Sequence, residues 1–142
     1  MTMSTISLSI TEIERLIHAL SALRSHYNRE KPVQVPLITA DRREALTPLI
    51  KSAIGETALK IGGEADLSGD EDIVTINIDR DAAGVRAAVE QGCALRVLQL
   101  ANTGYDSRAA ADYGEQADSA IESVRAAMAG SGATGKIVPN WY

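Results

Sequence analysis

Few residues of this chain could do chemistry, and they lie far apart in the sequence. One cysteine, Cys93, and two histidines, His18 and His26, stand beside a run of carboxylates, Glu64, Asp66, Asp70, Glu71 and Asp72. A nucleophile needs a base within hydrogen-bond reach, and no spacing joins Cys93 to a histidine or sets two carboxylates across a cleft. Cys93 falls on an apolar helical stripe, where a thiol acts as a small buried hydrophobe, and a single cysteine makes no intrachain disulfide. His18 and His26 are more than two helical turns apart, too far for paired metal ligands on one helix. The expectation is a protein that is not an enzyme and uses neither metal nor cofactor.

Two stretches imitate ligand motifs. Glu64, Asp66, Ser68 and Gly69 fit positions one, three, five and six of a calcium-binding EF-hand loop. Position twelve is then Thr75 instead of a bidentate Glu, and a strand follows where the motif needs a helix. The run Glu64–Asp72 therefore reads as a solvated acidic loop. Gly130-Ser131-Gly132-Ala133-Thr134-Gly135-Lys136 begins like a phosphate-binding P-loop. Ile137 replaces the magnesium-holding Ser or Thr, and the stretch follows a helix instead of joining a strand to one.

The elements that must hold these residues are legible. Thr5–Ile10 alternates, placing Ile6, Leu8 and Ile10 on one face of a short strand. Ser9 with Glu12, and Thr11 with Glu14, match the capping box that opens a helix. Ile13, Leu16, Ile17, Leu20, Leu23 and Tyr27 continue that helix to about Asn28. Lys31–Pro36 is an extended connection, because each proline disfavours helix at the residue before it. A second helix opens at Asp41 and runs to Ile61; it either kinks at Pro48 or restarts there with Thr47 as cap, and Gly62-Gly63 stops it. Ile73–Ile78 is the second short strand. From Asp79 or Asp81, as cap, a third helix extends to Gly104. Its stripe Val85, Val89, Cys93, Val97, Leu100 and a second row Ala87, Ala94, Leu98, Ala101 place it in the middle of a bundle. Asp106 or Ser107 caps a last helix ending at Gly130, apolar along Ala110, Tyr113, Ala117, Ala120, Ile121, Val124 and Met128. Asp112, Glu115, Asp118 and Glu122 lie on its other face.

The fold class is thus mainly α: about four helices in a bundle, two short β-strands and an extended C-terminal tail. Residues 1–130 form one domain and 131–142 a flexible arm. Hydrophobic residues make up 45% of the chain with no Phe, which favours helices packed through small side chains. A net charge of −5 and the lack of a clustered basic surface argue against sequence-specific nucleic acid binding. No apolar run approaches the ~18 residues of a membrane span and no signal-peptide pattern is present, so a soluble, cytoplasmically made protein is expected. Two strands alone are marginal in water and must pack on helices or extend a sheet on another chain. The arm carries the only Trp, within Ile137-Val138-Pro139-Asn140-Trp141-Tyr142. Aromatic tips contribute strongly at interfaces, so Ile137, Val138, Pro139, Trp141 and Tyr142 are the candidate partner-binding residues.

The order of parts resembles the small head-to-tail connector, or neck, proteins of tailed bacteriophages. The likeness rests on the helix Asp41–Ile61, the acidic loop, the apolar helix Val85–Ala101, the turn Tyr105-Asp106-Ser107-Arg108, the acidic-faced helix to Met128 and the extended tail. It implies a virion protein that forms a ring of its own copies between portal and tail. In such a ring Trp141 and Tyr142 would dock on a neighbour and the Ile73–Ile78 strand would make intersubunit contacts. The carboxylates of Glu64, Asp66, Asp70, Glu71 and Asp72 would line a lumen that DNA passes without sticking. The alternative reading is a cytoplasmic adaptor or regulatory bundle acting as a small closed oligomer through protein–protein contacts.

Overall fold

In the computed structural model, which describes residues 4–27, 43–104 and 106–132, four helices surround one face of a three-stranded sheet. The chain begins with strand β1 (Ser4–Ser9), whose Ile6 and Leu8 are buried while Thr5 and Ser7 are exposed. It pairs antiparallel with β3 (Ile73–Ile78), from Ser4 opposite Ile78 to Ser9 opposite Ile73. On the other side of β3 lies β2 (Glu64–Ala65), with Glu64 opposite Asn77 and Ala65 opposite Ile76, giving the order β1-β3-β2. The sequence predicts two strands and a loop from Glu64. The third strand is two residues long, too short to display the alternation by which strands are recognised. The expectation that Ile73–Ile78 contacts other subunits is corrected as well, because β3 is the central strand.

Helix α1 (Ile10–Tyr27) starts without an intervening loop and buries Ile13 and Ile17. Helix α2 (Arg43–Lys60) runs unbroken through Pro48, so the capped restart does not occur; the expected start at Asp41 and the connection Lys31–Pro36 lie outside the described residues. The glycine stop at its end works as a Schellman motif. Gly62, at φ +83°, donates its N–H to Leu59 O, and Gly63 donates to Ala58 O at 2.8 Å.

Helix α3 (Arg86–Asn102) packs against α1, α2 and α4 (Ser107–Gly132), as its two apolar rows predict. Val89, Cys93, Ala94, Leu95, Val97 and Leu98 are all buried, while Leu100 from the predicted stripe is exposed. The helix begins seven residues after Asp79, and neither aspartate caps it: Val85 is the N-cap, with no side-chain bond. The Asp81 carboxylate instead accepts the Ala83 N–H at 3.0 Å, closing a turn that the left-handed Gly84 (φ +81°) completes before the helix can start. Gly104, at φ +85°, follows its other end as expected. Asp106 caps α4 through the Ala109 N–H at 3.0 Å, and α4 continues two residues past Gly130. The seam of α3 and α4 is tight at Gly92, where a Cβ would stand 2.9 Å from Ile121 Cδ1.

Three helices meet at one guanidinium. Arg96 of α3 lies 3.2 Å from Glu56 of α2 and 2.6 Å from Asp118 of α4, and it also donates to Gln99. Gln99 in turn lies flat over α4 because residue 114 is glycine: a Cβ there would stand 2.6 Å from its amide nitrogen. That explains a residue which otherwise costs a helix about 1 kcal/mol. Arg96 is 11% exposed and its partners 47% and 65%, so solvent screens much of the attraction. Replacing it by the similarly sized apolar Met is expected to cost only about 1 kcal/mol, a few degrees in Tm by calorimetry. A loss above roughly 3 kcal/mol would mean that the three helices depend on the charge itself.

Candidate interaction surface

The residues singled out by sequence are not gathered into one site. Ile137, Val138, Pro139, Trp141 and Tyr142 lie outside the described residues, as does Tyr105. Gly130–Gly132, the start of the P-loop-like run, belong to the end of α4, which removes the strand-to-helix setting the motif needs. No group of three or more His, Cys, Asp or Glu among the described residues could hold a metal ion.

The acidic run divides by role. Asp66 turns back on Ser68, whose hydroxyl at 2.7 Å and N–H at 3.2 Å donate to it and hold its carboxyl below the usual aspartate range. Lys51 of α2 donates to the Gly69 carbonyl at 2.7 Å, tying the loop to the domain. Asp72 belongs to the fold. Its carboxylate accepts the Thr11 N–H at 2.9 Å, the Thr11 hydroxyl at 2.7 Å and the Ser9 hydroxyl at 2.7 Å, all at the start of α1. Glu64, Asp70 and Glu71 are exposed.

Sequence reasoning missed Glu90. In the predicted capping box Ser9 Oγ does accept the Glu12 N–H at 3.1 Å, but the Glu12 carboxylate pairs with Arg15, which lowers its pKa. The Ser9 N–H is taken by Glu90 of α3 at 2.9 Å. Glu90 is buried, and Arg86 stands 3.6 Å away. Its one sequence signal was a charged residue next to Val89 in the apolar stripe.

Cys93 is fully buried, and its S–H faces Thr57 Oγ1 at 3.6 Å. Burial pushes the thiol up to about 12 from an ordinary value near 9, with the Thr57 hydroxyl pulling slightly the other way. Only the thiolate attacks electrophiles, so iodoacetamide at pH 8 is expected to leave the folded chain unmodified and to label it after denaturation, read by intact mass. The folded chain holds a proton that the unfolded chain releases. This contribution to stability is therefore complete below about pH 9 and declines as the pH rises toward about 12.

The surface that does stand out is a backbone edge. Ile10 N–H bonds to Asp72 O at 2.9 Å, extending the β1–β3 register by one pair. Hydrogen-bonded pairs alternate in an antiparallel ladder, so Leu8, Ile6 and Ser4 face β3, and Ser9, Ser7 and Thr5 point their N–H and C=O groups away from it. The Ser9 N–H bond to Glu90 confirms that phase. Thr75 and Asn77, opposite Ser7 and Thr5, correspondingly face β2, where Asp66 N–H reaches Thr75 O at 3.1 Å. Natural edges are guarded by charge, proline, bulges or cover. Ser-Thr-Ile-Ser-Leu-Ser has no charge and no proline, and it pairs without a bulge from Ser4 to Ser9. Among the described residues only its ends are tied, at Ser4 by Ala82 N–H and at Ser9 by Glu90. The β2 edge, by contrast, is short and carries Glu64 and Asp66.

No family model, curated protein or solved structure matches the chain. Its functional reading therefore comes from this geometry and from the order of its parts. No helix among the described residues is long and apolar enough to cross a membrane.

Proposed function

We propose that this chain is a structural subunit that assembles head to tail into a ring, as a connector between the portal and the tail of a tailed bacteriophage. The observation that supports this reading is the inequality of the two sheet edges, one bare and uncharged, the other short and acidic. A bare edge satisfied by a different surface of the next copy makes a heterologous contact, and heterologous contacts close into rings when the rotation permits. The resemblance in order of parts supplies the place of that ring in a virion. Asp72, bound at the start of α1, is withdrawn from the proposed lumen lining, and Glu64, Asp66, Asp70 and Glu71 remain for it.

Native mass spectrometry with negative-stain imaging tests the assembly, using the full chain and a version ending at Gly132 over a wide concentration range. Rings of about a dozen copies that require residues 133–142 are the expected result. A tight dimer that survives both dilution and removal of those residues would refute the ring and favour the small closed adaptor. Co-sedimentation with portal protein then tests the partner.

A further inference from the structure

We infer that the C-terminal arm of a second copy of this chain adds to the bare edge of β1 as an antiparallel strand, with Val138 opposite Ser7 and Asn140 opposite Thr5. The inference rests on the head-to-tail assembly proposed above and names its seam.

The edge dictates what can join it. An added strand must turn the N–H and C=O of alternate residues toward Thr5 and Ser7, and proline fits only where the N–H would point away. In Ile137-Val138-Pro139-Asn140-Trp141 the proline therefore fixes the phase: Val138 and Asn140 face β1, and Ile137, Pro139 and Trp141 turn their backbone outward. Pairing Val138 with Ser7 and Asn140 with Thr5 then sets Pro139 opposite Ile6, Ile137 opposite Leu8 and Trp141 opposite Ser4. Opposed residues share a face of the sheet. Ile137, Pro139 and Trp141 accordingly extend the apolar face of Ile6 and Leu8, which is buried. Asn140 joins Thr5 and Asn77, already hydrogen-bonded to each other, on the polar face. A slip of one residue would put the missing proline N–H into the ladder and turn Trp141 to water. The order of residues in the arm thus matches the edge in one register.

The same register points to a second copy. Met128 and Ala129, near the end of α4, share a 420 Å³ cleft with Arg80. Arg80 lies two residues beyond Ile78, the partner of Ser4, so α4 ends at the Ser4 end of β1. An antiparallel arm has to enter at the Ser9 end. Residues 133–136 span at most ~14 Å, short of the ~17 Å length of β1, so the arm of the same chain falls short. The Ser9 end is approachable: a 470 Å³ depression lined by Glu12, Gly84, Arg86, Ala87 and Glu90 meets the edge there.

Amide hydrogen exchange at single-residue resolution on the full chain tests this, with sedimentation velocity reporting assembly. In the assembled wild type the outward amides of Thr5 and Ser7 are expected to exchange at least ~100-fold more slowly than in the dilute, dissociated chain. Val138→Pro, which lies outside the folded domain, removes an inward N–H and is expected to abolish that protection and to shift the Trp141 emission to the red. Ser7→Pro removes the opposing donor and leaves the β1–β3 ladder its bonds, and it is expected to act alike. Assembled chains with unprotected Thr5 and Ser7 amides would overturn this inference and leave the ring standing. A chain that stays monomeric at every concentration overturns the ring, and protection in that monomer would give the edge to its own arm. Protection that persists in Val138→Pro would assign the edge to another strand, such as β1 of a second copy, and also overturn the inference.

Discussion

Removing the carboxylates of Asp72 and Glu90 together, as Asp72→Ala with Glu90→Ala, is expected to lower the unfolding free energy by about 3 kcal/mol, with each single change near half of that. The first turn of α1 leaves backbone N–H groups without helical partners. Here they are satisfied by acceptors from three other places: Glu90 for Ser9, the Asp72 carbonyl for Ile10, the Asp72 carboxylate for Thr11, and the Ser9 hydroxyl for Glu12. Two of these side chains are negative and stand at the positive end of the helix dipole, which adds to the bonds themselves. The two carboxylates serve different donors, so the double variant is expected to be close to additive. Glu90→Gln keeps an oxygen for Ser9 and loses only the attraction of the exposed Arg86, so it is expected to cost less than about 1 kcal/mol. Urea titrations followed by circular dichroism measure all four chains. A double variant within about 1 kcal/mol of wild type would show that water replaces both acceptors.

A second large effect is expected at Gly63. Gly63→Val is expected to destabilise the chain by roughly 3 kcal/mol, at the upper end of what overpacking a core costs. A Cβ at this position would stand 2.7 Å from Ile76 Cγ2 and 3.0 Å from the Asn77 carbonyl. Ile76 is fully buried in the central strand, and its β-branched side chain has no other rotamer free of its neighbours' crowding. The carbonyl is backbone in a paired strand and cannot yield. At Gly92 the obstructing atom is instead the far end of the Ile121 side chain, which can swing. Gly92→Ala is therefore expected to be the milder change, offset in part by the better helix propensity of Ala. Thermal denaturation of the two variants side by side decides whether the helix-to-sheet contact or the helix-to-helix contact is the more rigid. A Gly63→Val chain that melts no lower than Gly92→Ala would contradict this account.

Much of the fold could be read from the sequence because it follows from period. The stripes of α1, α3 and α4 and the alternation of β1 and β3 are local patterns that directly encode which face is buried. What escaped reading was non-local or left-handed. Ser9 and Glu12 announced the start of α1, yet the carboxylate that closes the cap belongs to Glu90, 81 residues on, and no local pattern can show it. Asp79 and Asp81 look like caps for α3, but Asp81 satisfies Ala83 first and Gly84 delays the helix to Arg86. The Glu64–Asp72 run looked uniform, although Asp72 differs from its neighbours in facing the first turn of another element. The bare edge was legible only in part. The strand and its neutral composition were visible, while its place at the margin of the sheet depended on finding that β3 is central and that Glu64–Ala65 takes the other side.

The pairing of β1 with β3 also sets an order of events during synthesis. β1 meets its partner strand only after residue 78 has been made, and the acceptors at the start of α1 arrive 63 to 81 residues after Ser9. Contacts of such long sequence separation carry a large loop-closure entropy and slow folding. Until Ile78 leaves the ribosome, Ile6, Leu8 and the apolar stripe of α1 have no sheet to cover them. A nascent chain at a few residues per second thus spends several seconds or more with an uncharged, unpaired strand exposed, the interval in which holding chaperones act on such segments.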